Sequence, residues 1–212
     1  MPSEFIKAYT EKDRDTAATL CAKALKEGNL CVFPTETVYG IGCDACNEKA
    51  VDDLYIKKQR PREKALLMHI KGLETAENIA YLTDEARELI KRFTPGPLTL
   101  VLKRRKDFPD FACKNTDTIG LRFPSDKTFL KIASSFNGVI AATSANLSGR
   151  PSAVNADELK DICSGASVVV DGGRCALGLE STIISLVDKP KLLRLGSFDI
   201  KKLSEVLGEC GL

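Results

Sequence analysis

The chain has 212 residues, of which 43% are hydrophobic, and this is enough for one sizeable core. Its 31 basic and 29 acidic residues leave a net charge of only +2, which excludes a protein that binds nucleic acid through bulk positive charge. The N-terminal MPSEFIKAY does not resemble a signal peptide, and no window approaches the roughly 20 apolar residues of a membrane span. We therefore expect a cytoplasmic protein without membrane contact, folded as a single domain over residues 1–212.

Helical and strand patterns alternate along the chain. The first helix is predicted to begin at a capping Asp13 and to end at Gly28, and the apolar run NLCVF that follows is typical of a buried strand. A second helix is predicted from Asn47, and one or two more between residues 72 and 92. Further strands are predicted at ALLMHI, LTLVLK, TIGLRF, GVIAAT, SVVV, STIISLV and KLLRL, with helices near 125–135, 155–163 and 199–207.

This order of elements predicts an α/β fold. The Asp-Lys-Pro turn between STIISLV and KLLRL favours an antiparallel hairpin, whereas the intervening helices favour parallel neighbours. The sequence therefore predicts a twisted, mixed parallel and antiparallel sheet flanked by helices.

Eight cysteines occur, most of them inside apolar runs, where a reduced cysteine behaves as a small hydrophobic residue. Only Cys43 and Cys46 form a CxxC pair. A zinc site would need a second such pair or nearby histidines, and His69 is the only histidine in the chain. We predict no metal site made of protein ligands alone.

The first candidate functional segment is PTETVYG, residues 34–40, which follows NLCVF directly. If it stays extended, Thr35, Thr37 and Tyr39 share one face and Glu36 lies on the other. Two hydroxyls and a phenol suit a small polar ligand. The alternative is an edge strand whose threonines serve β propensity.

The second segment is KKQRPREK, residues 57–64, with five basic residues and one acidic residue. One ion pair at 4 Å contributes only about 4 kcal/mol at an effective dielectric constant of 20, whereas micromolar binding needs about 8 kcal/mol. Convergent cations such as Lys58, Arg60 and Arg62 are therefore the minimum for holding a polyphosphate. A solvated surface loop is the alternative.

Polar residues also interrupt apolar strands elsewhere. The strand VIAA ends in Ser144 and Asn146, and a plain turn is the alternative to a binding loop there. Arg122 in TIGLRF needs an anionic partner, either a carboxylate of the fold or one of a ligand, because an unpaired buried charge is costly. Ser181 is likewise a polar residue, at the start of the apolar strand STIISLV. No P-loop, dinucleotide-binding or GxSxG motif occurs, so chemistry must depend on positioning and electrostatics.

Taken in order, six segments resemble the motifs of the YrdC-type family, whose members are L-threonylcarbamoyladenylate synthases. The resemblance covers about residues 17–196 and is to the short, single-domain form with a YrdC-like fold. The segments are PTETVYGIGCDA, KKQRPREKALLMHI, TPGPLTLVLKR, TIGLRFP, AATSANLSGRPSA and LESTIISL.

The resemblance implies a reaction in which L-threonine, bicarbonate or CO2, and ATP give L-threonylcarbamoyl-AMP and pyrophosphate, with Mg2+ assisting. It implies downstream threonylcarbamoyl-transfer proteins as partners, and tRNA or double-stranded RNA as a further one. A non-catalytic RNA-binding module for ribosome or tRNA maturation is the alternative, to which KRRK at 103–106 would add cations. A third alternative is a maturation domain that uses carbamoyl phosphate.

The same resemblance implies roles for individual residues. Arg122 would meet the threonine carboxylate, and Arg194 would close on the nucleotide. Ala65 stands where the family often has proline, which is expected to loosen the basic loop. Threonine would be bound by Thr35, His69, Arg122 and Ser181, and ATP by Lys58, Arg60, Arg62, Thr118, Ser144, Asn146 and Arg194.

Overall fold

One sheet of eleven strands organises the chain, for which the computed structural model describes residues 4–113 and 116–208. The strands are β1 (Glu4–Lys7), β2 (Cys31–Phe33), β3 (Gly40–Asp44), β4 (Leu67–His69), β5 (Ala80–Tyr81), β6 (Gly96–Arg104), β7 (Thr118–Phe123), β8 (Ile140–Ser144), β9 (Val168–Asp171), β10 (Thr182–Ser185) and β11 (Lys191–Arg194). The helices are α1 (Glu11–Lys26), α2 (Glu48–Lys58), α3 (Leu73–Ile79), α4 (Asp84–Phe93), α5 (Lys127–Phe136), α6 (Lys160–Cys163) and α7 (Ser204–Leu207). Short 3₁₀ helices lie at Phe111–Cys113, Ala156–Leu159 and Ile200–Leu203.

The strand order is β1-β9-β2-β3-β8-β4-β7-β6-β10-β11, and β5 pairs with β6. Parallel pairs, such as β4 with β7 and β6 with β10, alternate with antiparallel ones, such as β3 with β8 and β6 with β7. The predicted hairpin is present as the antiparallel pair of β10 and β11. The prediction of a mixed sheet is confirmed.

Helices cover both faces of the sheet. Along β2, Val32 enters a core that also contains Leu54 of α2, whereas Cys31 and Phe33 enter a second core with Leu25 of α1 and Phe129 of α5. This alternation follows from the two-residue period of a strand. NLCVF is an unbroken apolar run because both faces of β2 are buried.

The N-termini of α1 and α2 are fixed by side-chain caps. Asn47 caps α2 as predicted, with Oδ1 accepting from the backbone N of Ala50 at 3.1 Å. The prediction that Asp13 caps α1 is wrong, because Thr10 is the N-cap. The hydroxyl of Thr10 accepts from the N of Asp13, and Oδ2 of Asp13 accepts from the N of Thr10, which is a reciprocal capping box.

Three strands, β1, β3 and β5, were not expected from the sequence. Strand β3 is GIGCD, whose glycines carry no apolar signal although the strand is buried. A Cβ on Gly42 would lie 2.9 Å from the carbonyl oxygen of Ala141 on β8, so only glycine fits this close approach. Among the described residues, no helix is long and apolar enough to cross a membrane.

Candidate functional site

A cleft of about 160 Å³ lies on the same sheet face as α1 and α5. Paired residues project from the same face of a sheet, and His69, Arg122 and Thr99 lie in register on β4, β7 and β6. Ile183 of β10 continues that row. In the next row Leu67 lies between Gly120 and Ala142, whose small size leaves room above the sheet. The cleft therefore lies on a face of the sheet and is not confined to the carboxyl ends of its strands.

The lining of the cleft is polar and carries net positive charge. Three arginines, Arg60, Arg122 and Arg194, face one glutamate, Glu180, which gives 3 − 1 = +2 for the charged lining residues. The hydroxyl-bearing residues are Thr35, Thr37, Tyr39, Thr143, Ser144 and Ser181. This combination suits a small polar ligand that carries negative charge.

The segment PTETVYG forms a turn and does not stay extended, so the face pattern of a strand does not apply to it. Oγ1 of Thr35 donates to the carbonyl oxygen of Val38 at 2.6 Å and accepts from the backbone N of Thr37 at 3.2 Å, and this folds residues 35–38 back on themselves. A threonine hydroxyl that bonds its neighbouring backbone competes with strand pairing. The two threonines lie 2.8 Å apart, Oγ1 to Oγ1, and both are buried at the cleft.

Glu36 points to Arg122 and forms a buried ion pair with it through Oε1 and Nη2. Nη1 of Arg122 donates to the carbonyl oxygen of Gly96. Burial lowers the pKa of the Arg122 guanidinium, and the Glu36 carboxylate opposes that shift. The expected anionic partner of Arg122 is therefore a carboxylate of the fold, and the arginine also lines the cleft.

Lys58 lies behind the wall of the cleft, and only 2% of its surface is exposed. Its Nζ donates to the carbonyl oxygens of Ser144 and Asn146, and to Oδ1 of Asn146 at 2.7 Å. Burial and, to a smaller extent, the nearby charge of Arg60 together lower the pKa of Lys58 to about 7. The lysine ties the end of α2 to the end of β8 and to the loop after it, and Ser144, the last residue of β8, lines the cleft.

Arg60 and Arg62 have different surroundings. Arg60 lines the cleft, and its Nε and Nη2 donate to the carbonyl oxygens of Lys64 and Ala65, which closes the basic loop on itself. Arg62 is exposed, pairs with Asp52 at 2.5 Å and does not line the cleft. The structure therefore brings only one of these two arginines to the cleft.

Ser181 and Arg194 form the opposite wall. Oγ of Ser181 lies 2.8 Å from Oγ1 of Thr99, which is fully buried on β6. Nη2 of Arg194 donates to the carbonyl oxygen of Ser181 at 2.9 Å and to its hydroxyl at 3.2 Å. The hairpin of β10 and β11 thus fixes both side chains.

His69 lies at the floor beside Arg122. Its ring packs edge-on against Phe129 with centroids 5.7 Å apart, and Nδ1 lies 3.3 Å from the carbonyl oxygen of Leu67. Burial and, to a smaller extent, the charge of Arg122 together lower the pKa of His69 to about 3. The imidazole is therefore neutral at ordinary pH.

The structure does not bring every predicted site residue to the cleft. Thr118 opens β7 opposite Lys103, at the other end of the strand from Arg122. Asn146 lies outside the lining, where its Nδ2 donates to the carbonyl oxygen of Leu147 at 3.0 Å. Thr118, Asn146, Arg62 and Lys58 therefore lie outside the lining of the cleft, which contains the other predicted residues.

Sequence reasoning missed three residues of the site. Glu36 was left without a role, because an extended segment would have turned it away from Thr35. Glu180 lines the cleft and accepts from Oγ of Ser152 at 2.6 Å, a bond that lowers the pKa of the carboxyl group. Thr99 could have been found as the one hydroxyl within the apolar strand LTLVLK.

Comparisons with known proteins agree on one family. The family model for Sua5, YciO and YrdC, described as "Telomere recombination", matches residues 23–196. The chain is 38% identical over 202 residues to the threonylcarbamoyl-AMP synthase of Pyrococcus abyssi, covering 94% of this chain and 59% of that protein. It is 33% identical over 208 residues to a putative threonylcarbamoyl-AMP synthase of Methanocaldococcus jannaschii, covering 96% and 98%.

Structural similarity supports the same relationship. The crystal structure of P. abyssi Sua5 complexed with L-threonine matches with a TM-score of 0.91 at 36% identity, covering 99% of this chain and 62% of that one. The chain thus spans less than two thirds of the P. abyssi protein. The expected YrdC-like fold is confirmed, and the chain belongs to the Sua5/YciO/YrdC family.

Proposed function

We propose that this chain is an L-threonylcarbamoyladenylate synthase, a nucleotidyltransferase that makes L-threonylcarbamoyl-AMP and pyrophosphate from L-threonine, CO2 or bicarbonate, and ATP. The observation that carries the proposal is the hydroxyl-lined cleft with its three arginines and one glutamate. One relative is named threonylcarbamoyl-AMP synthase and another putative threonylcarbamoyl-AMP synthase, and a related structure is complexed with L-threonine, which supports the same conclusion.

The reaction requires positioned anions and no protein nucleophile. The amine of threonine attacks CO2 and loses a proton, which gives a carbamate. A carbamate oxygen then attacks the α-phosphorus of ATP, the bond from that phosphorus to the bridging oxygen breaks, and pyrophosphate leaves. Since both reactants are anionic, cations that hold them together lower the barrier.

Threonine would occupy the part of the cleft between Arg122 and Ser181. Arg122 would receive the carboxylate, because an arginine fork matches carboxylate geometry. Thr35 and Ser181 would offer hydroxyls on opposite sides, and neutral His69 would hydrogen-bond without adding charge. All four line the cleft.

ATP would extend outward from the threonine site. A cleft of about 160 Å³ is smaller than the 300–1,000 Å³ typical of sites for drug-sized ligands, so the nucleotide would lie partly over the rim. Arg60, Arg194 and Ser144 would reach its phosphates from the lining. Lys58 would contribute its positive charge from beneath Ser144. Roles in ATP binding for Arg62, Thr118 and Asn146 require a ligand that reaches beyond the lining.

Mg2+ would enter with ATP as part of the substrate. The described residues contain no group of three histidine, cysteine, aspartate or glutamate side chains that could hold a metal, so they do not fit a dedicated protein metal site. Mg2+ is commonly held by substrate phosphates and one or two carboxylates. Glu180 would be the nearest candidate, since it lines the cleft.

The product would pass in the cytoplasm to downstream threonylcarbamoyl-transfer proteins that modify tRNA. The alternative, an RNA-binding module without catalysis, gains little from KRRK at 103–106. Arg104 donates to the carbonyl oxygens of Thr116 and Arg105, and Arg105 donates to that of Glu77 and lies over the ring of Tyr81. Both arginines therefore serve the fold.

The test is pyrophosphate release by the purified protein with ATP, bicarbonate and Mg2+, with and without L-threonine. Release that requires L-threonine, together with threonylcarbamoyl-AMP identified by mass spectrometry, is the expected result. Release without threonine, or none at all, overturns the proposal. Tight tRNA binding that weakens steeply between 50 and 200 mM salt, without turnover, would favour the RNA-binding module instead.

A further inference from the structure

Glu36 occupies a position where a carboxylate faces two donors from different segments. Oε1 accepts from Nη2 of Arg122, and Oε2 accepts from the backbone N of Ser125 at 2.9 Å. Only 10% of the Glu36 side chain is exposed. We propose that Glu36 is a positioning residue, which holds the Arg122 guanidinium in the orientation that receives the substrate carboxylate. This inference rests on the proposed function.

The hydrogen bonds of Arg122 explain why it needs such a partner. Nη1 donates to the carbonyl oxygen of Gly96, and Nη2 faces Glu36 and, at 3.5 Å, Oγ1 of Thr37. The Nε group has no hydrogen-bond partner among residues 4–113 and 116–208. Protein oxygens thus hold one end of the planar fork, and Nε is left for a ligand.

Glu36 also connects Arg122 to the segment that supports His69. Ser125 directly precedes Asp126, the N-cap of α5, whose carboxylate accepts from the N of Phe129 at 2.9 Å. The ring of Phe129 packs against His69. The Glu36 carboxylate therefore links Arg122 to the start of α5, and Phe129 of that helix packs against His69 at the floor of the cleft.

The backbone of Glu36 also contacts the segment that precedes β10. Its carbonyl oxygen accepts from the N of Leu177 at 2.8 Å, in the loop that leads to Glu180. The turn formed by Thr35 is what directs Glu36 inward. The polar segment PTETVYG follows a buried strand because its turn places the Glu36 carboxylate beside Arg122.

The chemistry of the pair defines a discriminating substitution. Both groups that Glu36 meets are donors, and a carboxylate offers two acceptor oxygens. Glutamine offers one acceptor and one donor, so Glu36→Gln keeps the shape and loses one of the two bonds. Glu36→Asp keeps the charge but is too short by one methylene to reach both donors at once.

The experiment measures L-threonine binding by calorimetry and steady-state kinetics with threonine and ATP varied separately. For Glu36→Gln we expect threonine affinity to fall and KM for threonine to rise at least tenfold, with kcat and KM for ATP changed less than threefold. Glu36→Asp should lie between this variant and the wild type. Glu77→Gln is the matched control, since Glu77 forms an exposed pair with Arg87, and it should match the wild type.

Thermal unfolding separates positioning from simple structural support. If Glu36→Gln is folded and binds threonine as tightly as the wild type, the inference is wrong. It is also wrong if KM for threonine and KM for ATP rise equally together with a loss of thermal stability. A variant too unstable to purify would show a structural role and would overturn the inference as well. Failure of the wild type to bind threonine would overturn the proposed function too, so the two failures are distinguishable.

Discussion

The ammonium group of Lys58 lies 2.7 Å from Oδ1 and 2.9 Å from the carbonyl oxygen of Asn146, a residue 88 positions further along the chain. The same ammonium donates to the carbonyl oxygen of Ser144. The basic loop and the loop after β8 are therefore one hydrogen-bonded unit, and a lysine predicted to bind phosphate also organises the wall that the phosphate would meet.

Lys58→Ala should lower kcat/KM at least tenfold, which corresponds to more than about 1.4 kcal/mol of transition-state stabilisation. It should also lower Tm, because buried acceptors of Ser144 and Asn146 lose their donor. Pyrophosphate release and thermal unfolding are the measurements. Lys49→Ala, on the exposed side of α2, is the control. Full activity in Lys58→Ala would remove Lys58 from phosphate binding.

Arg60→Ala should lower activity at least tenfold with little change in Tm, because the hydrogen bonds of its half-buried side chain go to carbonyl oxygens close by in the sequence. The effect should be larger on KM for ATP than on KM for threonine. Arg62→Ala is the informative comparison, since Arg62 pairs with Asp52 away from the cleft. An equal loss in both variants would place Arg62 at the phosphates, and wild-type rates in Arg60→Ala would refute its assignment.

His69 should make the protein sensitive to mild acid. Its pKa falls from 6.5 to about 3 on folding, so the unfolded chain binds more protons between these values, and stability falls as pH drops below 6.5. Between pH 6.5 and 5 the loss should be about 1.6 kcal/mol, or about 3–7 °C in Tm. The chain has one histidine, so His69→Gln should flatten this slope. Parallel Tm curves for the two proteins would contradict the prediction.

Replacing Cys43 and Cys46 together with alanine should leave activity and fold intact. Cys43 is buried in the core and Cys46 is exposed, and they belong to no metal-binding group among the described residues. Burial raises the pKa of the Cys43 thiol above its ordinary range, so it is a poor nucleophile and metal ligand. Activity and zinc content are measured in both proteins. Loss of activity or of bound zinc in the double variant would revive a metal or redox role.

The sheet was predictable where hydrophobic runs were continuous. The segments NLCVF, TIGLRF and SVVV are recognisable as strands because both of their faces are buried. The segments between such runs were therefore predicted as helices and loops. Strand β3 was not predicted because its glycines provide no hydrophobic signal; Gly42 allows the close approach to β8, and Gly40 lies against the ring of Phe33. Capping of α1 by Thr10 was not predicted, because threonine and aspartate are both acceptable N-caps and only the backbone angles decide between them.

Many of the residues that line the cleft could be named from the sequence, but their arrangement could not. Arg122 stood out because a charge on an apolar strand demands a partner. The identity of that partner, Glu36, depended on a turn closed by the hydroxyl of Thr35, which strand periodicity does not describe. Lys58 and Arg60 are two positions apart, yet one lies behind the wall and the other in it, because α2 ends between them.

Three of the bonds that build the cleft join distant parts of the chain. Glu36 and Arg122 are 86 positions apart, Lys58 and Ser144 also 86, and Thr99 and Ser181 82. Closing such long loops is slow, because the entropy cost is met before the contacts form. In refolding, helical signal should therefore return before threonine binding does, and recovery of binding would report completion of the whole sheet.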